Sequence, residues 1–109
     1  MKTCLIIPTL NEEKNILRLF HNIKKTNHKL DLLFVDDNSS DQTQQLILVL
    51  KKKHKNINYL FRKKKIGIGS AHKDGIKYCY KKKYDLIITM DADGTHDPKY
   101  LGQLILKAN

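Results

Sequence analysis

Asp91-Ala92-Asp93 closes the apolar run Leu86-Ile87-Ile88-Thr89-Met90. On extended backbone, side chains two positions apart point to the same side, so Asp91 and Asp93 form a pair. Ala92 between them leaves room for a ligand to approach the backbone, and Gly94 follows. Two hard oxygen donors so placed suit a divalent cation, Mg²⁺ or Mn²⁺. Mg²⁺ typically takes one or two carboxylates and completes its shell with substrate phosphates. An Asp-x-Asp by itself is common; its place at the end of an apolar strand gives it weight. Pro98 suits the first position of a helix whose N-terminal amides would help hold anionic groups at the same edge. Asp36 and Asp37 close another apolar run, and Glu12 follows a third. Five acids gathered at one edge need a positive charge to hold them apart, and a metal ion supplies one.

The elements that must position these acids alternate along the chain. Residues 3–8 read as a buried strand ending in Pro8. Residues 12–25 carry Ile16, Leu17, Leu19, Phe20 and Ile23 on one helical face, with Asn11 as cap and Glu12 and Glu13 at the positive end. Residues 30–35 form a second strand, followed by a polar loop over 36–41 that finishes as a helix cap. The helix over 43–55 turns Leu46, Ile47, Val49 and Leu50 inward. A third strand spans 57–61, and a basic, glycine-bearing loop 62–69. The third helix, 70–82, packs Ala71, Ile76 and either Cys79 or Tyr80. Residues 86–90 are the fourth strand, 91–97 a loop, and 98 to about 107 a last helix. This alternation is a Rossmann-like α/β fold, a parallel sheet with helices on both faces. With strand order 3-2-1-4, the loops after strands 1 and 4 flank the switch point where such sheets bind ligands.

The chain has 109 residues, enough for one domain, and a formal net charge of +10 carried mostly by lysine. That balance favours anionic partners: nucleic acid, an acidic membrane surface or a phosphorylated substrate. Nucleic acid is not expected, because the aromatics are not arrayed with the lysines. The runs Lys51-Lys52-Lys53 and Lys81-Lys82-Lys83 close helices, where the dipole favours cations, with an acidic membrane leaflet as the functional alternative. Arg62-Lys63-Lys64-Lys65 borders the site and could attract a phosphate. Cys4 and Cys79 belong to no metal or redox pattern and read as buried, reduced thiols. No apolar window reaches signal-peptide or membrane-spanning length, so the expected location is cytoplasmic or peripheral to the cytoplasmic membrane face.

Four stretches, in order over nearly the whole chain, carry a resemblance to family 2 glycosyltransferases of the GT-A fold. Ile6-Ile7-Pro8-Thr9-Leu10-Asn11-Glu12-Glu13 is similar to the family's opening strand and loop. Phe34-Val35-Asp36-Asp37-Asn38-Ser39-Ser40-Asp41 matches its second motif. Gly67-Ile68-Gly69-Ser70-Ala71-His72-Lys73-Asp74-Gly75 resembles a stretch of the dolichol- or polyprenyl-phosphate mannosyltransferase branch. Thr89-Met90-Asp91-Ala92-Asp93 matches the metal motif. The resemblance implies that Pro8, Leu10 and Glu12 line a nucleotide pocket and that Val35 and Asp37 hold the base and ribose edge. It implies that Asp91, Ala92 and Asp93 bind the diphosphate end. Asp91 and Asp93 are then the metal ligands and the catalytic residues, Asp93 foremost. Leu10 departs from the aromatic common at its position, and Gly94-Thr95 from the Leu-Ser of the mannosyl branch.

The expected activity is transfer of a sugar, mannose from GDP-mannose, to a polyprenyl or dolichyl phosphate at a membrane surface. The alternatives are a non-catalytic nucleotide- and metal-binding fragment and an enzyme of the UDP-glucose-using type. The resemblance covers only the N-terminal part of a GT-A domain, so residues 1–109 read as one truncated nucleotide-sugar-binding domain. A second chain supplying the missing half is the other explanation. A truncated chain would leave the edge of strand 4 exposed.

Overall fold

Four apolar segments lie side by side because each carries side chains that must leave water on both faces. The computed structural model describes residues 2–25, 29–63, 68–90, 92 and 105–107. The four segments are β1 (Thr3–Thr9), β2 (Asp31–Asp36), β3 (Ile57–Phe61) and β4 (Leu86–Thr89), joined by α1 (Ile16–Lys25), α2 (Thr43–Lys53) and α3 (Ile68–Lys81). β1 pairs in parallel with β2 and β4, and β2 with β3, giving the order β3-β2-β1-β4 expected from the sequence.

Alternation along β1 sorts the core into two layers. Leu5 and Ile7 pack with Ile16, Leu19 and Ile23 of α1 and Ile47 and Leu50 of α2. Cys4 and Ile6 pack on the other face with Ala71 and Cys79 of α3. Helices therefore cover both faces. Each such aliphatic side chain, fully buried, contributes about 2 kcal/mol. α3 lies close over β1: a Cβ added at Gly75 would stand 2.7 Å from Cγ2 of Ile6. Cys4 and Cys79 are both buried and free. The hydrogen bond between the two thiols, with burial, raises the Cys4 pKa far above the ordinary thiol range, and that same bond lowers that of Cys79.

The structure departs from the sequence reading in four places. Ile105–Lys107 form a strand, β5, antiparallel to β4 with Ile88 opposite Ile105, where a helix is expected. The short apolar run around Ile105 serves either element; the open edge of β4 decides for a strand. That pairing also covers the β4 edge, and the sheet is parallel in its first four strands only. Residues 98–104 of the expected helix lie outside the described residues. α1 begins at Ile16, and Asn11 does not cap it: Asn11 holds φ 53 and its side chain serves the loop after β2. Finally, Leu17 and Val49 are exposed, since each stands beside the buried stripe of its helix; of the pair Cys79 and Tyr80, Cys79 is the one that packs.

Charge is distributed unevenly over this frame. In a parallel α/β sheet the strand starts and the helix ends share one edge. Eleven exposed lysines sit there: Lys24 and Lys25 end α1, Lys51, Lys52 and Lys53 end α2, Lys81, Lys82 and Lys83 follow at the end of α3, and Lys2, Lys29 and Lys55 precede strands. Among the described residues only Asp31 and Asp85 share that edge, and both are engaged. Asp31 accepts the Tyr84 hydroxyl at 2.6 Å, and Asp85 accepts the Lys2 amide at 2.7 Å. Among the described residues no helix is long and apolar enough to cross a membrane.

Candidate functional site

The opposite edge, where the strands end, is built from the loops after β1 and β2. In register, Thr9 of β1 stands opposite Asp36 of β2. Asp36 is fully buried and accepts four hydrogen bonds: from the Thr9 hydroxyl at 2.6 Å, the Ser39 amide at 2.8 Å, the Ser39 hydroxyl at 2.6 Å and the Gln44 amide group at 2.8 Å. Its charge is therefore met by donors within the protein.

Further bonds sew the two loops together. The Asn11 amide donates to Ser39 Oγ at 2.8 Å, and Asn11 Oδ1 accepts the Ser40 amide at 2.8 Å. The Glu12 amide donates to the Thr43 hydroxyl at 2.8 Å, and the Asp37 amide to the Thr9 carbonyl at 2.9 Å. Asn11 and Asn38 both hold positive φ, which asparagine tolerates better than most residues. Asp41 braces the loop ahead of α2, accepting the Thr43 amide at 2.9 Å and the Glu13 amide at 3.2 Å, while the N-cap position itself is Gln42, whose side chain makes no capping bond. Partial burial opposes ionisation of Asp41, but the hydrogen bonds from Thr43 and Glu13 outweigh it and hold the carboxyl below its ordinary value of 3.8.

The expected pocket residues fall around this frame. Pro8 and Val35 are buried and opposite one another in register. Leu10 is 38% exposed at the surface of the loop. Glu12 is half-buried, and its carboxylate accepts Asn15 Nδ2 at 2.7 Å. Asp37 is buried, and Arg62, just past β3, places Nε 3.5 Å from its Oδ1. The same Nε lies 3.6 Å from Asp74 of α3, while Nη2 donates to Ser70 Oγ at 2.9 Å. Arg62 is thus no solvated member of a basic loop: its side chain is 7% exposed, and its Nη1 is buried with no acceptor among the described residues. Leaving a buried donor unmatched costs about 1–3 kcal/mol, so this nitrogen is suited to an acceptor on a ligand.

Two of the five acids expected at this edge are therefore met by groups of the protein rather than needing a cation. Asp36 is satisfied by neutral donors, and Asp37 has a guanidinium beside it. Asp91 and Asp93 lie outside the described residues, as do His96 and the lysines at 64 and 65. What is described beside them is Met90, whose amide donates to the Ile6 carbonyl at 3.0 Å, and Ala92, which is buried. Among the described residues no three His, Cys, Asp or Glu side chains converge as a metal-binding group. Sequence reasoning missed Thr9, Ser39, Thr43, Gln44, Ser70 and Asp74, which hold Asp36, Arg62 and the paired loops. The usable signal was register: the last residue of β1 must face the last residue of β2.

This is an open, doubly wound type of α/β sheet: its switch point lies at the ends of β1 and β4, with the interlocked loops after β1 and β2 beside it, and such sheets bind ligands at that place. The family model described as glycosyl transferase family 2 matches residues 4–109, and the chain belongs to that family. It is 31% identical over 105 residues to an undecaprenyl-phosphate mannosyltransferase of Micrococcus luteus, covering 96% of this chain and 43% of that protein. The chain therefore spans less than half the length of this curated relative. Among solved structures, S. aureus TarS 1-349 in complex with UDP-GlcNAc matches with a TM-score of 0.73 and 27% identity, over 85% of this chain and 27% of that one. The mannosyltransferase PcManGT from Pyrobaculum calidifontis, in complex with GDP-Man and Mn2+, shares the fold with a TM-score of 0.75 at 22% identity, over 84% of this chain and 27% of that one.

Proposed function

We propose that residues 1–109 are the donor-binding part of a glycosyltransferase that moves a sugar, mannose from GDP-mannose, onto a polyprenyl or dolichyl phosphate. The observation that carries this reading is the buried Asp37–Arg62 pair, with its unmatched Nη1 donor, at the strand-end edge beside the loop over 8–12. A carboxylate and a guanidinium side by side offer an acceptor and a donor to a nucleobase edge. Family membership and the mannosyltransferase relative support the donor class and the lipid-phosphate acceptor. In this reading Pro8, Leu10, Glu12 and Val35 line the nucleotide, Asp37 accepts hydrogen bonds from base or ribose, and Asp91, Ala92 and Asp93 meet the diphosphate.

Breaking a sugar–phosphate bond leaves negative charge on the nucleoside diphosphate. A divalent cation held by Asp93 and Asp91 would neutralise that charge. Two hard carboxylates fit Mg²⁺ or Mn²⁺, and the anchoring of Met90 and Ala92 at the strand-end edge supports that assignment. The acceptor phosphate oxygen is already nucleophilic, so the site needs no strong general base.

Calorimetric titration of the chain with GDP-mannose and UDP-glucose, with and without Mn²⁺, tests the reading. GDP-mannose is expected to bind in a metal-dependent way, and the double variant Asp91→Ala/Asp93→Ala to lose that dependence. Binding unchanged in the double variant with metal present overturns it. Preference for UDP-glucose would select the UDP-using alternative. Metal-dependent binding without release of GDP on addition of polyprenyl phosphate would select the non-catalytic one.

A further inference from the structure

We propose that Cys4 and Cys79 are an oxidative modification site, a dithiol that a hydroperoxide converts to a disulfide joining α3 to β1. The inference is independent of what the strand-end edge binds. The two cysteines of the sequence stand far apart along the chain, yet the fold sets them face to face. Ile6 and Gly75 mark where β1 and α3 touch: a Cβ added at Gly75 would stand 2.7 Å from Cγ2 of Ile6. α3 returns between the parallel strands β3 and β4, so it runs against the direction of β1. Two residues back along β1, about 6.6 Å, Cys4 shares the face of Ile6. Four residues on along α3, about 6 Å, Cys79 shares the face of Gly75. The two steps run the same way over nearly the same distance and bring Cys4 and Cys79 opposite one another. Both are fully buried in one cluster, and the Cys4 thiol donates to Cys79.

A single buried cysteine packs as a small apolar side chain. Two in contact can do more, because the second thiol is in place to resolve an oxidised first. The hydrogen bond from Cys4 lowers the pKa of Cys79, while that bond and burial raise that of Cys4. Cys79 is therefore the thiolate that forms first. With hydrogen peroxide as the oxidant, its sulfur takes one oxygen and becomes a sulfenic acid, and the other oxygen leaves as water. The Cys4 sulfur then attacks the Cys79 sulfur. The S–S bond forms, the S–O bond breaks, and the sulfenic oxygen leaves as a second water with the Cys4 proton. In sum the two thiols lose two protons and two electrons, and the peroxide O–O bond is reduced.

Access to the thiols runs through a cover at the strand-start edge. Cys4 stands opposite Ile87 in register, and the Asp85 amide donates to the Lys2 carbonyl, so Tyr84 lies beyond Cys4 toward that edge. Tyr84 is 5% exposed and belongs to the thiols' own cluster. Its hydroxyl donates to Asp31 Oδ2 at 2.6 Å and its amide to the Cys79 carbonyl at 3.1 Å. Lys2 Nζ lies 4.5 Å from the Tyr84 ring centroid and donates to the Lys82 carbonyl at 2.6 Å. The hydroxyl and ammonium bonds of this cover lie at or near the surface, so it opens by local fluctuation without global unfolding, and a small peroxide can pass. The disulfide would close a loop over most of the chain, and long loops gain the most stability from closure.

Oxidation of the reduced chain with hydrogen peroxide, followed by intact mass and peptide mapping, tests the proposal. The expected product is a monomer lighter by two hydrogens, with Cys4 joined to Cys79. It should unfold at a higher urea concentration than the reduced chain, and dithiothreitol should restore the reduced midpoint. Tyr84→Phe keeps the ring and drops the bond to Asp31, so it should form the same product about fivefold faster, as loss of one hydrogen bond from the cover implies. Cys4→Ser lacks the resolving thiol and should instead gain oxygen at Cys79. Circular dichroism should show each variant folded. Both thiols intact after the same peroxide has consumed free cysteine, disulfides between chains, or a disulfide formed only once urea unfolds the chain overturns the proposal. Equal rates in wild type and folded Tyr84→Phe overturn the cover.

Discussion

The two ends of the sheet handle charge in opposite ways. Where the strands end, Asp36 and Asp37 are buried, and each is met at short range by hydroxyl, amide or guanidinium groups. Where they begin, lysines stand exposed, and the two carboxylates described among them, Asp31 and Asp85, are held by a hydroxyl and a backbone amide. Buried, matched groups act one at a time, because removing one partner strands the others in a dry environment. Exposed charges are screened by water and salt, and matter only as a set. The first arrangement fixes a geometry; the second produces a field.

Single substitutions should separate the two ends. The largest effect is expected at Asp36. Asp36→Ala removes the acceptor of four hydrogen bonds and leaves the buried Thr9 hydroxyl without its partner, costing about 3 kcal/mol in denaturant unfolding. A loss under about 1 kcal/mol would mean that the loops hold each other without it. Asp41→Ala should cost about 1 kcal/mol at neutral pH, because it leaves the Thr43 and Glu13 amides without their acceptor. Its carboxyl lies below 3.8 in the folded state, so its contribution is present above that value and is lost as pH falls through the lower folded value. The gap between wild type and Asp41→Ala should therefore close in acid; a gap constant down to the lowest pH would contradict an ionised acceptor at Asp41. The smallest effect belongs to the lysine edge. Lys51→Gln/Lys52→Gln/Lys53→Gln should shift the unfolding free energy by no more than about 0.5 kcal/mol, as solvated surface changes do. A larger loss would show that these lysines hold the fold together.

Much of this frame was legible in the sequence, because compact apolar runs separated by amphipathic stretches leave few topologies. Right-handed crossovers limited the strand orders to consider, and the observed one is among them; the polar loop over 36–41 does precede α2, but its N-cap is Gln42 with no side-chain capping bond. What escaped depends on partners far along the chain. Asp36 and Asp37 are adjacent and chemically identical, yet one faces Thr9 across the strand pair and the other lies beside Arg62. Arg62 heads a run of lysines and reads as solvated; its burial depends on Asp37 and Asp74, on different elements. Asn11 looked like a helix cap, but its backbone amide and side-chain oxygen serve Ser39 and Ser40 in the loop after β2. Ile105–Lys107 changed from helix to strand because the edge of β4 offers unpaired backbone groups, which a local pattern cannot register.

The central claim is that the strand-end edge receives a nucleotide sugar. Its most direct test is a proton–nitrogen correlation spectrum of the labelled chain, titrated with GDP-mannose and Mg²⁺. The account predicts that amide shifts concentrate in the loop over 8–12, at Val35 and Asp37, at Arg62 and around Ala92, and spare Lys24, Lys53 and Lys81. Shifts confined to the lysine edge, or none at saturating ligand, would contradict it.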